Sequence, residues 1–338
     1  MGIEPTSSAW KAEALPLCYT RLQAAFILPA YTIAQVKDFC KMNDEKNSIS
    51  PLLDCLLSQH DHKGFPAGLL RLDYKSGVDQ QADWALLLPP GEGVRTWVVV
   101  IHGHGSKGNQ LYVRPDLQQH WLPEYLRRGF GILTPTLRGN AWMSPAAVED
   151  MDALLSFVRQ KFAAEKFLFS SGSMGGTSNL IYGSLRPHNV AGIIARGAVC
   201  DLAAYHAFCR LQPSSLNSAA LDQAELAKTQ HVRTDIADSL ELHYGGTPAE
   251  KATLYQAHSP LFHSENLQQI PIYLSHGGAD VLMPVSQSRR LAAALADHPR
   301  FTYIEIPHGS HDSPLTFGLT NNSTNEAWQN FSALDWIL

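Results

Sequence analysis

The chain has 338 residues, 45% of them apolar and 17% charged, with a formal net charge of −5. This is the composition of an ordinary globular protein of one or two domains, and it excludes a disordered chain. The acidic balance offers no basic footprint for nucleic acid and no polybasic segment for an anionic membrane surface, and no apolar run approaches the roughly 18 residues that a membrane helix needs.

The five cysteines, Cys18, Cys40, Cys55, Cys200 and Cys209, form no C-x-x-C pair, so free thiols are expected rather than a disulfide framework. The N-terminus has no charged segment followed by an apolar stretch, so no signal peptide is expected, and the expected compartment is the cytoplasm.

In chain order, residues 1–65 show no hairpin pattern. TIAQVKDFCKM and ISPLLDCLLSQH space their apolar residues three to four apart, which predicts short helices and an N-terminal helical extension. From about Gly68 the texture changes. AGLLRLDYKS and DWALLLPPG read as strands, and TWVVVIHG as a third, apolar enough to be covered on both faces. LPEYLRRG is helical, and GFGILTPTLRG is a strand running into a loop. SPAAVEDMDALLSFVRQKFA is an amphipathic helix with Ser144 at its N-cap and Pro145 at N1.

EKFLFSS is then a strand, MGGTSNLIYGSLR a helix and AGIIARGAV a strand. Residues 201–267 interrupt the rhythm with helical stretches and no obvious strand. PIYLSHGG (strand), SQSRRLAAALADH (helix), RFTYIEIPHG (strand) and NEAWQNFSALDWIL (helix) complete the chain. The alternation predicts a doubly wound, mostly parallel α/β sheet over residues 66–338, with a helical insertion or cap at 201–267.

The segment FLFSSGSMGG, residues 167–176, leaves its strand with almost no side-chain bulk. Ser173 follows a strand and opens a helix, the setting of a nucleophile elbow. The turn is so tight that the residues two before and two after must be small; Ser171 and Gly175 fill those places. Taking Ser171 as the nucleophile would put Phe169 in the crowded position, and taking Ser170 would put Leu168 there.

A serine hydroxyl needs a general base, and the base an orienting acid. Asp280 lies in the loop after PIYLSHGG and His311 in the loop after RFTYIEIPHG, so both leave neighbouring strands at the edge that carries Ser173. His308 is the rival base, but it sits close to its strand end; Asp201 and Asp312 are the rival acids. The turn HGHGS after TWVVVIHG can present a backbone N–H from His104 to an oxyanion, and the N–H of Met174 supplies a second.

These motifs, with PTLRGNAW at 135–142 and SPLFHSENLQQIPIYLSHGGADVLMP at 259–284, resemble those of α/β-hydrolases. They are most similar to the catalytic domain of the prolyl-oligopeptidase and acetyl-esterase branch. The resemblance covers roughly residues 65–338. It implies a sheet of about eight strands, the catalytic residues Ser173, His311 and Asp280, and no metal or organic cofactor.

Only about 65 residues precede the matched region, and they do not read as propeller blades. The expected activity is therefore hydrolysis of a small-molecule carboxylic ester, with short acyl groups admitted beneath the cap. Arg138, Trp142, Tyr205 and His206 are candidate pocket residues. A serine peptidase, an acyltransferase, a metal hydrolase and a non-catalytic hydrolase-fold binding protein are the other readings. The oligomeric state is left open.

Overall fold

In a computed structural model, residues 52–211, 223–316 and 332–338 are described. The predicted helix TIAQVKDFCKM, most of the N-terminal extension and the start of the predicted C-terminal helix lie outside them.

A nine-stranded sheet organises the described chain, in the order β1-β2-β3-β5-β4-β6-β7-β8-β9. Its strands are β1 (Leu53–Gln59), β2 (Leu70–Lys75), β3 (Ala82–Leu88), β4 (Thr96–Val99), β5 (Gly131–Pro135), β6 (Lys166–Gly172), β7 (Gly192–Arg196), β8 (Ile272–Gly277) and β9 (Phe301–Ile306). β1, β2, β3 and β5 pair antiparallel, and β5 through β9 pair parallel. Besides the single turns Gln110–Val113 and Ser313–Thr316, the helices are α1 (Pro115–Arg127), α2 (Pro145–Phe162), α3 (Met174–Leu185), α4 (Leu202–Cys209), α5 (Gln223–Tyr244), α6 (Ala252–Ala257), α7 (Val285–Ala294) and α8 (Ala333–Ile337).

The central strands are apolar runs because both their faces are covered. Trp97, Val98, Val99, Ile193, Ile194, Ile272 and Leu274 are all fully buried. The chain leaves β4 for β5 on one side, then returns to place β6 on the other. The strand ends of β4 and β6 therefore flank a crevice where the strand order reverses, the usual ligand site of an open parallel sheet. The loops carrying HGHGS and Ser173 leave from those two ends.

Residues 53–59 correct the sequence expectation of a helix at ISPLLDCLLSQH. They pair with β2, Leu57 opposite Leu72, across a register irregularity between Leu53 and Leu56. Leu56 is exposed while Cys55 and Leu57 are half-buried, the alternation of a strand and not one face of a helix. Pairing also gives the backbone of β2 partners that a surface helix would not supply. Trp121 lies on α1. It is buried, its indole N–H donates to the Leu315 carbonyl at 2.5 Å, and the Arg196 guanidinium lies 4.4 Å from its ring centre.

The stretch between β7 and β8 holds α4, α5, α6 and a 3-10 segment, Pro260–Leu267, with no strand among its described residues. No helix of the described chain is long and apolar enough to cross a membrane.

Candidate active site

Helix α3 starts at the residue after Ser173, which has φ 60° and ψ −130°, a sparsely populated region for a residue with a side chain. The elbow is held from several directions. The Ser173 N–H donates to the Arg196 carbonyl at 2.7 Å, and its own carbonyl accepts from Thr177 N–H and Oγ1. A Cβ on Gly175 would lie 2.0 Å from the Ile101 carbonyl oxygen, so only glycine fits where α3 passes the end of β4.

Serine rather than glycine at position 171 has a local reason. Its hydroxyl accepts from the Ile101 N–H at 2.9 Å and donates to Asn179 Oδ1 at 3.2 Å, tying β4 to the elbow helix.

The structure brings Ser173, His311 and Asp280 into one hydrogen-bonded line. His311 Nε2 is 3.0 Å from Ser173 Oγ, and His311 Nδ1 is 2.7 Å from Asp280 Oδ2. Asp280 is fixed in turn, because its Oδ1 accepts from the N–H groups of Leu282 and Met283 at 2.9 and 2.8 Å. His276 Nε2 lies 3.4 Å from Oδ2. Burial alone would raise the Asp280 carboxyl, but hydrogen bonds and charge from His276 and His311 overcome this and hold it well below the usual carboxylate range. Burial also disfavours a charged His311 ring, and the hydrogen bond and charge of Asp280 more than offset that, raising its pKa above 6.5.

The rival residues are used elsewhere. His308 is exposed, at a positive φ of 57°. Asp201 caps α4 by accepting from the Ala204 N–H at 3.0 Å and pairs with Arg290 at 2.9 Å. Asp312 pairs with Arg114 at 3.0 Å on the surface.

Beside the elbow, the turn after β4 packs against the nucleophile. A Cβ on Gly103 would come within 4.0 Å of Ser173 Cβ. The Gly103 N–H donates to Gln110 Oε1 at 2.9 Å and the Gly105 N–H to Asn140 Oδ1 at 2.8 Å. Between them the His104 N–H has no acceptor among the described residues. The Met174 N–H, the first of α3, is one of the donors that every helix start leaves unpaired.

Of the candidate pocket residues, Trp142 and Tyr205 stand together, their ring centres 5.6 Å apart, and the Trp142 indole N–H donates to His104 Nδ1 at 3.2 Å. Arg138 does something else. Its guanidinium is committed to Asp150, Asp79, Gln81 and Ser76 in a nearly buried brace between the β2–β3 hairpin and α2. That leaves it no donor for a substrate; the sequence allows a structural hydrogen-bonding role for Arg138 as readily as a pocket role, but its acceptors are spread along the chain and nothing local names them. His206 is bonded to Glu241 of α5 at 2.7 Å.

Other reactive groups carry less. Burial pushes the thiols of Cys200 and Cys209 up to about 12, so neither is a ready nucleophile at neutral pH. The His102 ring is held between the carbonyls of Gly103 and Thr136, and the His60 and His62 rings pack at a tilt against each other and Phe65. Among the described residues no group of three His, Cys, Asp or Glu side chains is arranged to hold a metal ion.

Sheet order, elbow and surrounding helices define a serine hydrolase of the α/β-hydrolase fold. The chain belongs to the family described as serine aminopeptidase, S33, whose pattern matches residues 93–314. No curated protein sequence matches it. Among solved structures it is similar to FphF, a fluorophosphonate-binding serine hydrolase of Staphylococcus aureus. That match has 13% identity, covers 75% of this chain and 95% of the other, and has a TM-score of 0.53. It is also similar to an S-formylglutathione hydrolase from Agrobacterium tumefaciens, at 12% identity, 79% and 94% coverage, and a TM-score of 0.51. A puromycin-hydrolysing peptidase of Mycobacterium tuberculosis matches at 20% identity over 69% of this chain, with a TM-score of 0.49; the chain spans 34% of that peptidase's length. At 12–13% identity the first two likenesses are of fold alone.

Proposed function

We propose that the chain is a serine carboxylesterase acting on short acyl esters through an acyl-enzyme. The observation that carries this reading is the continuous line Asp280–His311–Ser173 at a strained elbow. In the reaction Ser173 Oγ attacks the ester carbonyl carbon while His311 Nε2 takes its proton. Asp280 orients the ring and stabilises the imidazolium. The carbonyl oxygen becomes an oxyanion facing the N–H groups of His104 and Met174. His311 then returns its proton to the leaving alcohol, and water activated by the same ring hydrolyses the acyl-enzyme.

The family description favours a second reading, an aminopeptidase. Such an enzyme needs a carboxylate for the substrate's α-ammonium group. Among the described residues of the cap, Asp235, Asp238, Glu241 and Glu250 already have partners in His104, Arg210, His206 and Thr247. The aromatic pair Trp142–Tyr205 beside the oxyanion turn is fully buried and brings no charge to that side of the site. All of these observations support the ester reading without distinguishing hydrolysis from acyl transfer to another alcohol.

The test is a series of initial rates on p-nitrophenyl acetate, butyrate and octanoate and on an aminoacyl p-nitroanilide. The expected result is a rate that falls with acyl length, with little anilide cleavage. An anilide rate above the ester rates would move the chain to the aminopeptidase reading.

A further inference from the structure

We propose that Asp235 and Trp142 form a clamp on the His104 ring that positions the His104 N–H for the oxyanion, linking the transition-state site to helix α5 of the cap. The proposal rests on the serine hydrolase reading above and adds two positioning residues to it.

An indole N–H can only donate. Trp142 Nε1 lies 3.2 Å from His104 Nδ1, so Nδ1 is the bare, accepting nitrogen. The proton of a neutral ring is then on Nε2, which donates to Asp235 Oδ2 at 2.7 Å. Both ring nitrogens are thus fixed by partners on opposite sides. Burial, which lowers the pKa of His104 against the opposing pull of Asp235, favours the same neutral ring. The side chain of His104 is 7% exposed, whereas that of Asp235 is 55% exposed at the rim.

Fixing the ring fixes the residue's side-chain torsions and, through them, the direction of its backbone. The peptides on either side are already anchored, by Gln110 and Asn140. Between those two anchors the His104 N–H has no acceptor among the described residues, and it is this donor that the proposal directs at the oxyanion. Trp142 is itself held in an uncommon conformation, φ 48°, with its ring against Tyr205. Its carbonyl accepts from the Tyr244 hydroxyl at 2.9 Å. Asp235 and Tyr244 both belong to α5, so one cap helix grips the clamp at both ends. A shift of α5 on substrate binding would be passed to the oxyanion site through these two contacts.

An N–H aimed at the transition state contributes to kcat more than to ground-state binding. Asp235→Ala and Trp142→Phe are therefore expected to lower kcat on an ester roughly 10- to 100-fold, with KM within about twofold, since displacing a donor costs less than deleting it. Asp235→Asn retains an acceptor for the Nε2 proton and should recover most of the loss. Affinity for a short-chain trifluoromethyl ketone gives an independent readout. Ser173 Oγ adds to its carbonyl carbon, the serine proton passes to His311, and the former carbonyl oxygen becomes the oxyanion. That affinity should fall in step with kcat across the variants. Glu241→Gln, which removes a charge from α5 but keeps an acceptor for Arg210 and touches neither His104, Asp235 nor Trp142, should leave α5 in place and kcat near wild type.

A rise in KM at constant kcat for Asp235→Ala would overturn the proposal, as would an equal kcat loss in Glu241→Gln. Full activity of both clamp variants, with Ser173→Ala inactive, would overturn the clamp and leave the hydrolase standing. Turnover by Ser173→Ala would instead remove the hydrolase reading on which the clamp depends.

Discussion

Asp280→Asn is expected to lower kcat/KM on an ester by roughly 10⁴-fold at neutral pH, the scale of a lost orienting acid in a serine triad. The cause lies in which end of the new amide can face His311. The Oδ1 position is held by two backbone donors, Leu282 and Met283 N–H, so the amide oxygen stays there. The amide NH₂ is forced into the Oδ2 place, 2.7 Å from His311 Nδ1. An NH₂ can only donate, so Nδ1 must accept and the ring proton moves to Nε2. Nε2 then points a hydrogen at Ser173 instead of a lone pair, and the base is lost.

The same residue sets the pH dependence. His311 acts as a base only when neutral, so the rate falls tenfold per pH unit below its pKa. Asp280 holds that pKa above that of a free imidazole, so the acidic limb of wild-type kcat/KM is expected at higher pH than a free imidazole would give. In Asp280→Asn the supporting charge is gone, and the limb of the residual activity should move to lower pH. Rate profiles between about pH 5 and 9 would show this. A small loss of rate, or a limb unmoved by the substitution, would contradict the role given to Asp280.

Gly175→Ala is expected to destabilise the fold by about 3 kcal/mol or more and to abolish activity in whatever folds. The added Cβ would lie 2.0 Å from the Ile101 carbonyl oxygen, 2.8 Å from its carbon and 2.9 Å from Ser171 Cβ. Two of the three are backbone atoms at the end of a central strand, so the start of α3 must move instead, carrying the Met174 N–H and Ser173 with it. Gly172→Ala is the comparison. Its Cβ would come within 2.4 Å of the tip of the Leu315 side chain, which can rotate away, so a milder loss is expected. Denaturant unfolding of the two variants, with a specific rate for the folded fraction, measures both effects. A Gly175→Ala protein as stable as wild type would show that the elbow does not need the close approach.

Much of the fold was legible because its central strands announce themselves. VVV, FLF, GII and IYL are apolar on both faces, and a parallel sheet buries both. The line Ser173–Asp280–His311 was legible because each residue follows such a strand, and loop length favoured His311 over His308. What failed was non-local. The leucines of 53–57 carry a spacing that suits a helix, and their pairing with β2 decides otherwise. Arg138 was placed in a pocket because it follows a strand at the right edge. Its partners Asp79 and Asp150, which make it a brace, lie 59 and 12 residues away. Asp235 stands in a helical insertion with no motif, 131 residues from His104, and nothing local marks it.

The central claim is that Ser173 is the activated nucleophile, and labelling tests it most directly. The protein would be treated with an alkyl fluorophosphonate, its intact mass measured, and the adduct mapped by peptide sequencing. The account predicts one adduct per chain on Ser173, none on the folded Ser173→Ala protein, and much slower labelling of His311→Ala. Stoichiometric labelling at another serine, or no labelling of a folded wild-type chain, would contradict it.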